Sequence, residues 1–297
     1  MSELLDQRVT VCRTRSLGGG CISEVLSVEL LRHEDRDSAI AENANVTLVV
    51  KRQDAEKVSM FEAESEGLSA ISESGCIRTP RVLACGISGG SAFLVMEAID
   101  SGRAAGDGFH QFGRDLASFH LATKGTQIGW SGDNFLGSAT QPNSPRDSWE
   151  EFVRDQRLGY QLKWAVDQGL ADSKLKQDVE SILDSIGQLL SGRERVTSLL
   201  HGDLWSGNYL FDDRGVVLID PAVSYGCREA EWGMISWFGS CPESFEQGYR
   251  EVWPMPEGWH RRVAVYRLYH QLNHLNLFGS SYLGTCSSAA QAIRQAV

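Results

Sequence analysis

Two carboxylates and one amide stand out by their spacing. The run Leu199-Leu200-His201-Gly202-Asp203-Leu204-Trp205-Ser206-Gly207-Asn208 places an Asn five residues after Asp203, and Val217-Leu218-Ile219-Asp220-Pro221-Ala222 brings a second Asp twelve residues after that Asn. An apolar run that buries as a strand leaves the polar residues after it at the strand's edge. Two such edges in this order fit a catalytic turn followed by a metal-binding strand end. Asp203 can take the proton of an attacking hydroxyl, while Asn208 and Asp220 hold Mg²⁺ on the phosphates of ATP. The Asp-x-x-x-x-Asn spacing is that of kinase catalytic loops, with Gly202 where protein kinases carry Arg. The competing reading, two strands of a β-hairpin with incidental turn acids, leaves the Asn unexplained.

The elements that must position these groups begin upstream. Residues 9–16 and 22–31 read as strands flanking Gly18-Gly19-Gly20-Cys21. A glycine-rich turn between strands can lay backbone N–H groups over phosphates. Its spacing departs from that of the kinase glycine loop, so alone it fits a ligand-free hairpin equally well. The β-branched run 46–51 ends in Lys51, which from such a strand can reach ATP phosphates. Residues 57–74 read as a helix with Met60, Phe61, Glu64, Leu68 and Ile71 near one face. A carboxylate on an apolar face is costly unless paired. Glu64 is therefore expected to pair with Lys51, leaving Glu62 and Glu66 in water. Strands at 81–87 and 91–98 lead into the polar, glycine-containing linker IDSGRAAGDG. A boundary here divides residues 1–98, an ATP-binding lobe, from residues 99–297, a catalytic and substrate lobe. In such a fold adenine binds the linker backbone near Glu97 to Ile99.

The second part reads as mainly helical. In the helix 109–123, His120 falls on the apolar face as a hydrogen-bonded core residue. Residues 125–146 read as a long irregular loop; such loops are often functional, and a well-packed surface loop fits the sequence equally well. Ser148 to Glu151 is a capping box opening the next helix, and a further helix is expected over 172–191. Residues 224–239 read as a turn and a buried helix. Glu229 and Glu231 near its start suit a helix N-terminus, the simpler alternative to bracing the catalytic turn. The helix 258–283 carries Asn273, His274 and Asn276 within its apolar body. They form either a satisfied core network or the wall of a substrate cleft.

Composition sets outer limits. With 297 residues the chain is long enough for two lobes, and 42% hydrophobic and 23% charged residues are globular values. Its net charge of −11 makes nucleic acid and anionic membranes poor partners. No apolar run is long enough to span a bilayer, and the N-terminus lacks a signal-peptide core. The seven cysteines show no CxxC spacing, which fits reduced thiols in a cytoplasmic protein.

From GGGCISE (18–24) to NHLNLFG (273–279) the chain resembles the fructosamine kinase (ketosamine-3-kinase) family. LLHGDLWSGN, IDPAVSYG and YHQLNHLNLFG carry the likeness, and the GDNFLGSATQPN loop resembles bacterial members. Trp205 departs from aminoglycoside and choline kinases, which usually have a His-Pro pair around that place. The resemblance implies an α+β, protein-kinase-like fold with a small β-rich lobe, a larger helical lobe and ATP between them. It implies phosphorylation of the sugar 3-hydroxyl on glycated amines, whether small ketoamines or glycated protein lysines. The unstable 3-phosphate then breaks down and frees the amine, a deglycation that serves protein repair. Asp203 matches the catalytic base, Asn208 and Asp220 the metal ligands, and Lys51 and Glu64 the lobe-spanning ion pair. Trp205 and His274 match positions facing the sugar amine. Cys21 matches a cysteine linked in some members to disulfide dimers, so a monomer or a redox-sensitive dimer is implied. Cys227, Ser224 and Ser240 depart from the usual His, aromatic and Gly, which bears on substrate preference rather than chemistry.

Two rivals share part of this reading. An aminoglycoside- or choline-type phosphotransferase would use the same ATP residues, but Trp205 and NHLNLFG argue against it. A non-catalytic ATP-binding regulator would be expected to lack the Lys, the base or the metal Asp, and all are present.

Overall fold

The computed structural model describes residue 5 and residues 9–18, 23–32, 45–239 and 241–296. Runs rich in β-branched residues form the first strands, because such side chains suit a pleated, half-buried surface. These are β1 (Val9–Ser16), β2 (Glu24–Arg32), β3 (Asn45–Asp54), β4 (Val82–Ser88) and β5 (Ser91–Glu97). The sheet is antiparallel in the order β1-β2-β3-β5-β4, so β3 has ladder partners on both sides. Side chains alternate in direction along a strand. Leu48 and Val50 bury on one face with Val28, Leu30 and Val95. Val49 and Lys51 point to the other face, toward α1 (Val58–Glu73).

Helix α1 buries Phe61, Gly67, Leu68 and Ile71, and leaves Glu62 and Glu66 exposed. Gly67 permits a close approach. A Cβ there would stand 3.0 Å from Cγ of Pro221, so the helix rests on the segment just after Asp220. The sheet with its helix is thereby set against the distant part of the chain that carries the second Asp.

Beyond a linker starting at residue 98, helices dominate: α2 (Gly108–Ala122), α3 (Trp149–Phe152), α4 (Tyr160–Asp167), α5 (Ser173–Asp184), α6 (Ile186–Leu189), α7 (Glu231–Ile235), α8 (Glu243–Val252), α9 (Trp259–Phe278) and α10 (Leu283–Gln295). A π-helical stretch, Val153–Gly159, joins α3 to α4. Ser148 caps α3 by accepting the Glu151 N–H at 3.2 Å. The helix expected over 172–191 breaks at Ser185, whose backbone (φ −99°, ψ 8°) ends α5 and opens α6. Helix α9 is buried on nearly every side and forms the axis of the larger core. Among the described residues no helix is long and apolar enough to cross a membrane.

Three two-stranded ladders lie among the helices. They are β6 (Asn134–Leu136) with β7 (Ala139–Gln141), β8 (Ser198–Leu200) with β11 (Ser224–Gly226), and β9 (Tyr209–Asp212) with β10 (Gly215–Leu218). The stretch expected as an irregular loop therefore contains the β6–β7 hairpin. Side-chain amides hold it: Asn134 donates to Val223 O at 2.8 Å, and Gln141 and Asn143 each donate to Asn134 Oδ1 at 2.8 Å. Asn273 and Asn276 resolve toward the core reading, since both bond the buried Gln161, at 3.0 and 2.7 Å.

Glu229 does not cap a helix as expected. It binds Arg262 of α9 through two hydrogen bonds of 2.6 and 2.8 Å, with both side chains 1% exposed. Arg262 also donates to Ser191 O and Glu257 O. Removing one partner of such a pair strands a buried charge, which costs about 3–5 kcal/mol. Arg262→Met is expected to lower the unfolding free energy by that amount in urea titration, and Glu229→Met/Arg262→Met to recover part of the loss. A single variant within 1 kcal/mol of the parent would show that the pair is dispensable.

Candidate active site

Strands β8 and β10 each end at one of the two acids, but they are not hairpin partners. β8 pairs with β11 and β10 with β9. The turn after β8 is held by three sets of bonds. Ala222 N donates to His201 O at 2.8 Å, and His201 Nε2 lies 2.9 Å from Ile219 O. Glu231 accepts the backbone N–H groups of His201 (2.7 Å) and Gly202 (3.0 Å). The sequence favoured helix capping for Glu231; its carboxylate instead braces the turn. Gly202 sits at φ +82°, and a Cβ there would lie 2.1 Å from Ala222 O, so no side chain fits this position.

The turn delivers Asp203 against Asn208, whose Nδ2 donates to Asp203 O (2.9 Å) and Oδ2 (3.0 Å). Asp203 Oδ1 is buried and has no partner. Burial first, and the charge of Asp220 second, push the Asp203 carboxyl up to about 7, against the Asn208 hydrogen bond. Asn208 O in turn accepts Ile219 N–H at 3.0 Å, which fixes the approach to Asp220. Asp220 adopts φ 55°, a left-handed conformation uncommon outside glycine.

Lys51 joins the two halves of the site. Its Nζ lies 2.6 Å from Glu64 Oε1 and 2.5 Å from Asp220 Oδ1. Burial alone would lower the ammonium pKa, but the two carboxylates prevail and raise it. Glu64 is pushed up to about 7 by burial, against the pull of Lys51. One ammonium serves two acids, and the acid with less access to water is left undercompensated: Glu64 is 14% exposed and Asp220 44%.

The donor set suits Mg²⁺. Asn208 turns its nitrogen to Asp203, which leaves its amide oxygen for a cation, and Asp220 adds a half-exposed carboxylate. Hard oxygen donors that are few in number match an ion completed by water and phosphate oxygens. Among the described residues no group of three His, Cys, Asp or Glu could hold a metal ion. Glu97 and Ile99 line a cleft together with Ala98, Asp100 and residues 212–214. Glu97 N–H donates to Arg81 O at 3.0 Å. Gly18 lies in a turn two residues beyond the end of β1, whereas Gly19, Gly20 and Cys21 lie outside the described residues.

Trp205 and His274 do not touch directly. Both meet Phe238, with ring centroids 5.7 and 5.5 Å apart, and His274 also contacts Trp237, Phe278 and Tyr282. Phe238 is 43% exposed and escaped the sequence reading, its only signal being the aromatic pair Trp237-Phe238 beyond a buried helix. His120 is the core residue expected, fully buried with Nδ1 2.8 Å from Tyr249 OH.

The fructosamine kinase profile matches residues 1–296. The chain belongs to the fructosamine kinase family. A Synechocystis protein assigned as a ketoamine kinase is 36% identical over 285 residues, 95% of this chain and 90% of that one. A chloroplastic protein-ribulosamine 3-kinase of Arabidopsis thaliana is 38% identical over 281 residues, 94% and 81% of the two chains. A Thermobifida fusca crystal structure assigned as a fructosamine-3-kinase superposes with TM-score 0.83 at 30% identity, covering 99% of this chain and 96% of that one. The fold is shared more widely, by the aminoglycoside phosphotransferase APH(4)-Ia at TM-score 0.64 and 16% identity, with 96% and 94% coverage. Fructosamine kinase membership thus agrees with the α+β, kinase-like architecture.

A fructosamine kinase core of this kind should be acid-sensitive. Burial, helped by His274, lowers His270 from 6.5 to about 3, and burial also lowers His120 and His201. A neutral histidine with a depressed folded pKa lets the unfolded chain bind the extra proton below pH 6.5, so stability falls as pH drops from there toward 3. His270 alone should contribute a loss on the order of 2 kcal/mol between pH 6.5 and 5. Urea titrations at several pH values should show this slope, and His270→Gln should flatten it. An unchanged slope would mean that His270 takes up its proton in the fold as readily as in the unfolded chain.

Proposed function

We propose that this chain transfers the terminal phosphoryl group of ATP to the sugar 3-hydroxyl of ketoamines. The observation that carries the chemistry is the unpartnered, buried Oδ1 of Asp203, beside Asn208 and within the field of Asp220. A buried acceptor oxygen with no internal partner is a costly feature that a hydroxyl donor would satisfy. The family and the named relatives point that hydroxyl to a ketoamine sugar.

In this reading Asp203 orients the 3-hydroxyl and takes its proton, and its raised pKa puts it near the working range of a general base. Asn208 holds the Asp203 carboxylate in place through its amide nitrogen. Lys51, positioned by Glu64, binds the phosphates, beside the glycine turn that Gly18 opens. Adenine would lie in the linker cleft against the backbone of Glu97 to Ile99. The hinge between an ATP lobe and a substrate lobe falls at residues 98–99. Asn208 and Asp220 would hold Mg²⁺, which would neutralise charge on the transferring group. Trp205, Phe238 and His274 give the sugar and its amine an aromatic wall of mutually tilted rings. The 3-phosphate product then decomposes and releases the amine.

Asp203→Asn is expected to lower kcat by roughly 10²–10⁴ while leaving ATP affinity nearly unchanged. Full turnover by this variant would remove Asp203 from the mechanism. ADP release with ribuloselysine, fructoselysine, choline and kanamycin tests the acceptor. Turnover is expected with the first two, and turnover of only the last two would assign the chain to another phosphotransferase activity.

A further inference from the structure

Helix α9 carries a second functional feature on the face that bears His274. Residues seven and eleven apart return to nearly the same side of an α-helix. Arg267, His274 and Phe278 therefore form one stripe. The segment after α7 lies across it: Ser236 Oγ accepts from Arg267 Nη2 at 2.7 Å, and Trp237 and Phe238 contact His274 with centroids 4.6 and 5.5 Å away. Only Trp237 separates Ser236 from Phe238, so the Arg267 guanidinium lies within roughly 10 Å of the aromatic wall.

Arg267 differs from most of the chain's half-buried and buried arginines, and from Arg157, which also lacks an ion pair but donates to Pro142 O, Gln156 O, Asn143 Oδ1 and Ser224 Oγ. Arg78, Arg193, Arg228 and Arg262 each ion-pair with a carboxylate. Among the described residues Arg267 has no such partner; its bonded neighbour is a neutral hydroxyl, and its Nε is buried without a partner. Gln271, one turn on, has an unpaired Oε1 and offers at most a neutral oxygen. Desolvation lowers the Arg267 pKa with no compensating acid. A guanidinium in this condition favours a planar carboxylate, which it can bind through two parallel hydrogen bonds.

We propose that Arg267 binds the α-carboxylate of a ketoamine whose amine belongs to a free amino acid. The sugar would lie at the Trp205–Phe238–His274 wall, and the lysine stem would run along the stripe toward Arg267. This inference rests on the ketoamine reading and refines it. A lysine inside a protein chain carries an amide in place of that carboxylate, so Arg267 favours the free amino-acid conjugate over the protein-bound one. Arg267 touches the substrate remote from the reacting hydroxyl and acts on specificity.

The test uses two substrates that differ only in charge: Nα-acetyl-ribuloselysine as the free acid and as its primary amide. The parent chain should turn over both and prefer the acid. Arg267→Met should lose about tenfold in kcat/KM on the acid, carried by KM, with the amide unchanged. Arg267→Lys should recover part of the loss, and the amide activity reports that each variant is folded. Equal loss on both substrates, or no loss on either, overturns the assignment. Turnover of neither substrate by the parent chain would instead remove the ketoamine reading, and this inference with it.

Discussion

One ammonium group couples the two halves of the cleft. Lys51 extends from the central strand of the sheet, Glu64 from the helix covering it, and Asp220 from a turn 169 residues beyond Lys51 in the chain. A buried charge without partners would cost several kcal/mol, so each of these groups depends on the others staying in place. The position of Lys51 follows from simple periodicity. Its neighbour two residues back, Val49, packs toward the same helix, and the ladder on either side of β3 prevents that strand from rotating. Gly67 then lets the helix settle on Pro221, which brings Asp220 within reach. The ion triad is thus a consequence of packing as much as of charge.

A second constraint acts on the turn that holds Asp203. Its backbone N–H groups at 201 and 202 face inward, where unpaired donors would be costly. Glu231 satisfies both with one carboxylate, itself fully buried and kept ionised by those bonds and by His120 nearby at 3.6 Å. The tight approach of Gly202 to Ala222 O is the price of that geometry. It also explains why an arginine like that of protein kinases has no room here. Charge bracing comes from behind the turn, through Glu231, rather than from a residue within it.

Much of this was legible in the sequence, and the limits have physical causes. The strands at 46–51 and 91–98 and the helix at 57–74 show in the chain because their burial follows a period of two or 3.6. Lys51 could be matched with Glu64 because a carboxylate on an apolar face needs a cation. Glu231 was harder. An acid at the start of a helix has a sufficient local explanation, and nothing local says that a turn thirty residues earlier needs its oxygens more. The β6–β7 hairpin was hidden for a related reason, since buried amides rather than alternating apolar residues hold it. Phe238 was invisible because an exposed aromatic becomes meaningful only when Trp205 and His274 arrive on either side from distant segments. Hydrophobic pattern is encoded locally, whereas polar satisfaction is a property of the assembled fold.

The charge count at the site indicates what it is built to receive. Glu64 and Asp220 share the ammonium of Lys51, and Asp203 lies in the field of Asp220 and Glu231. Burial in this surplus of negative charge holds both Asp203 and Glu64 near 7. Such an arrangement is unfavourable if the fold alone is considered, because each acid disfavours ionisation of the next. A divalent cation held by Asp220 and Asn208 would offset that repulsion, ease the ionisation of Asp203 and leave Lys51 freer to turn from Asp220 toward phosphate. The same surplus would discourage an anionic acceptor from approaching Asp203 directly. A neutral sugar hydroxyl can enter that field, while any carboxylate on the acceptor is better kept at a distance, beside a cation of its own.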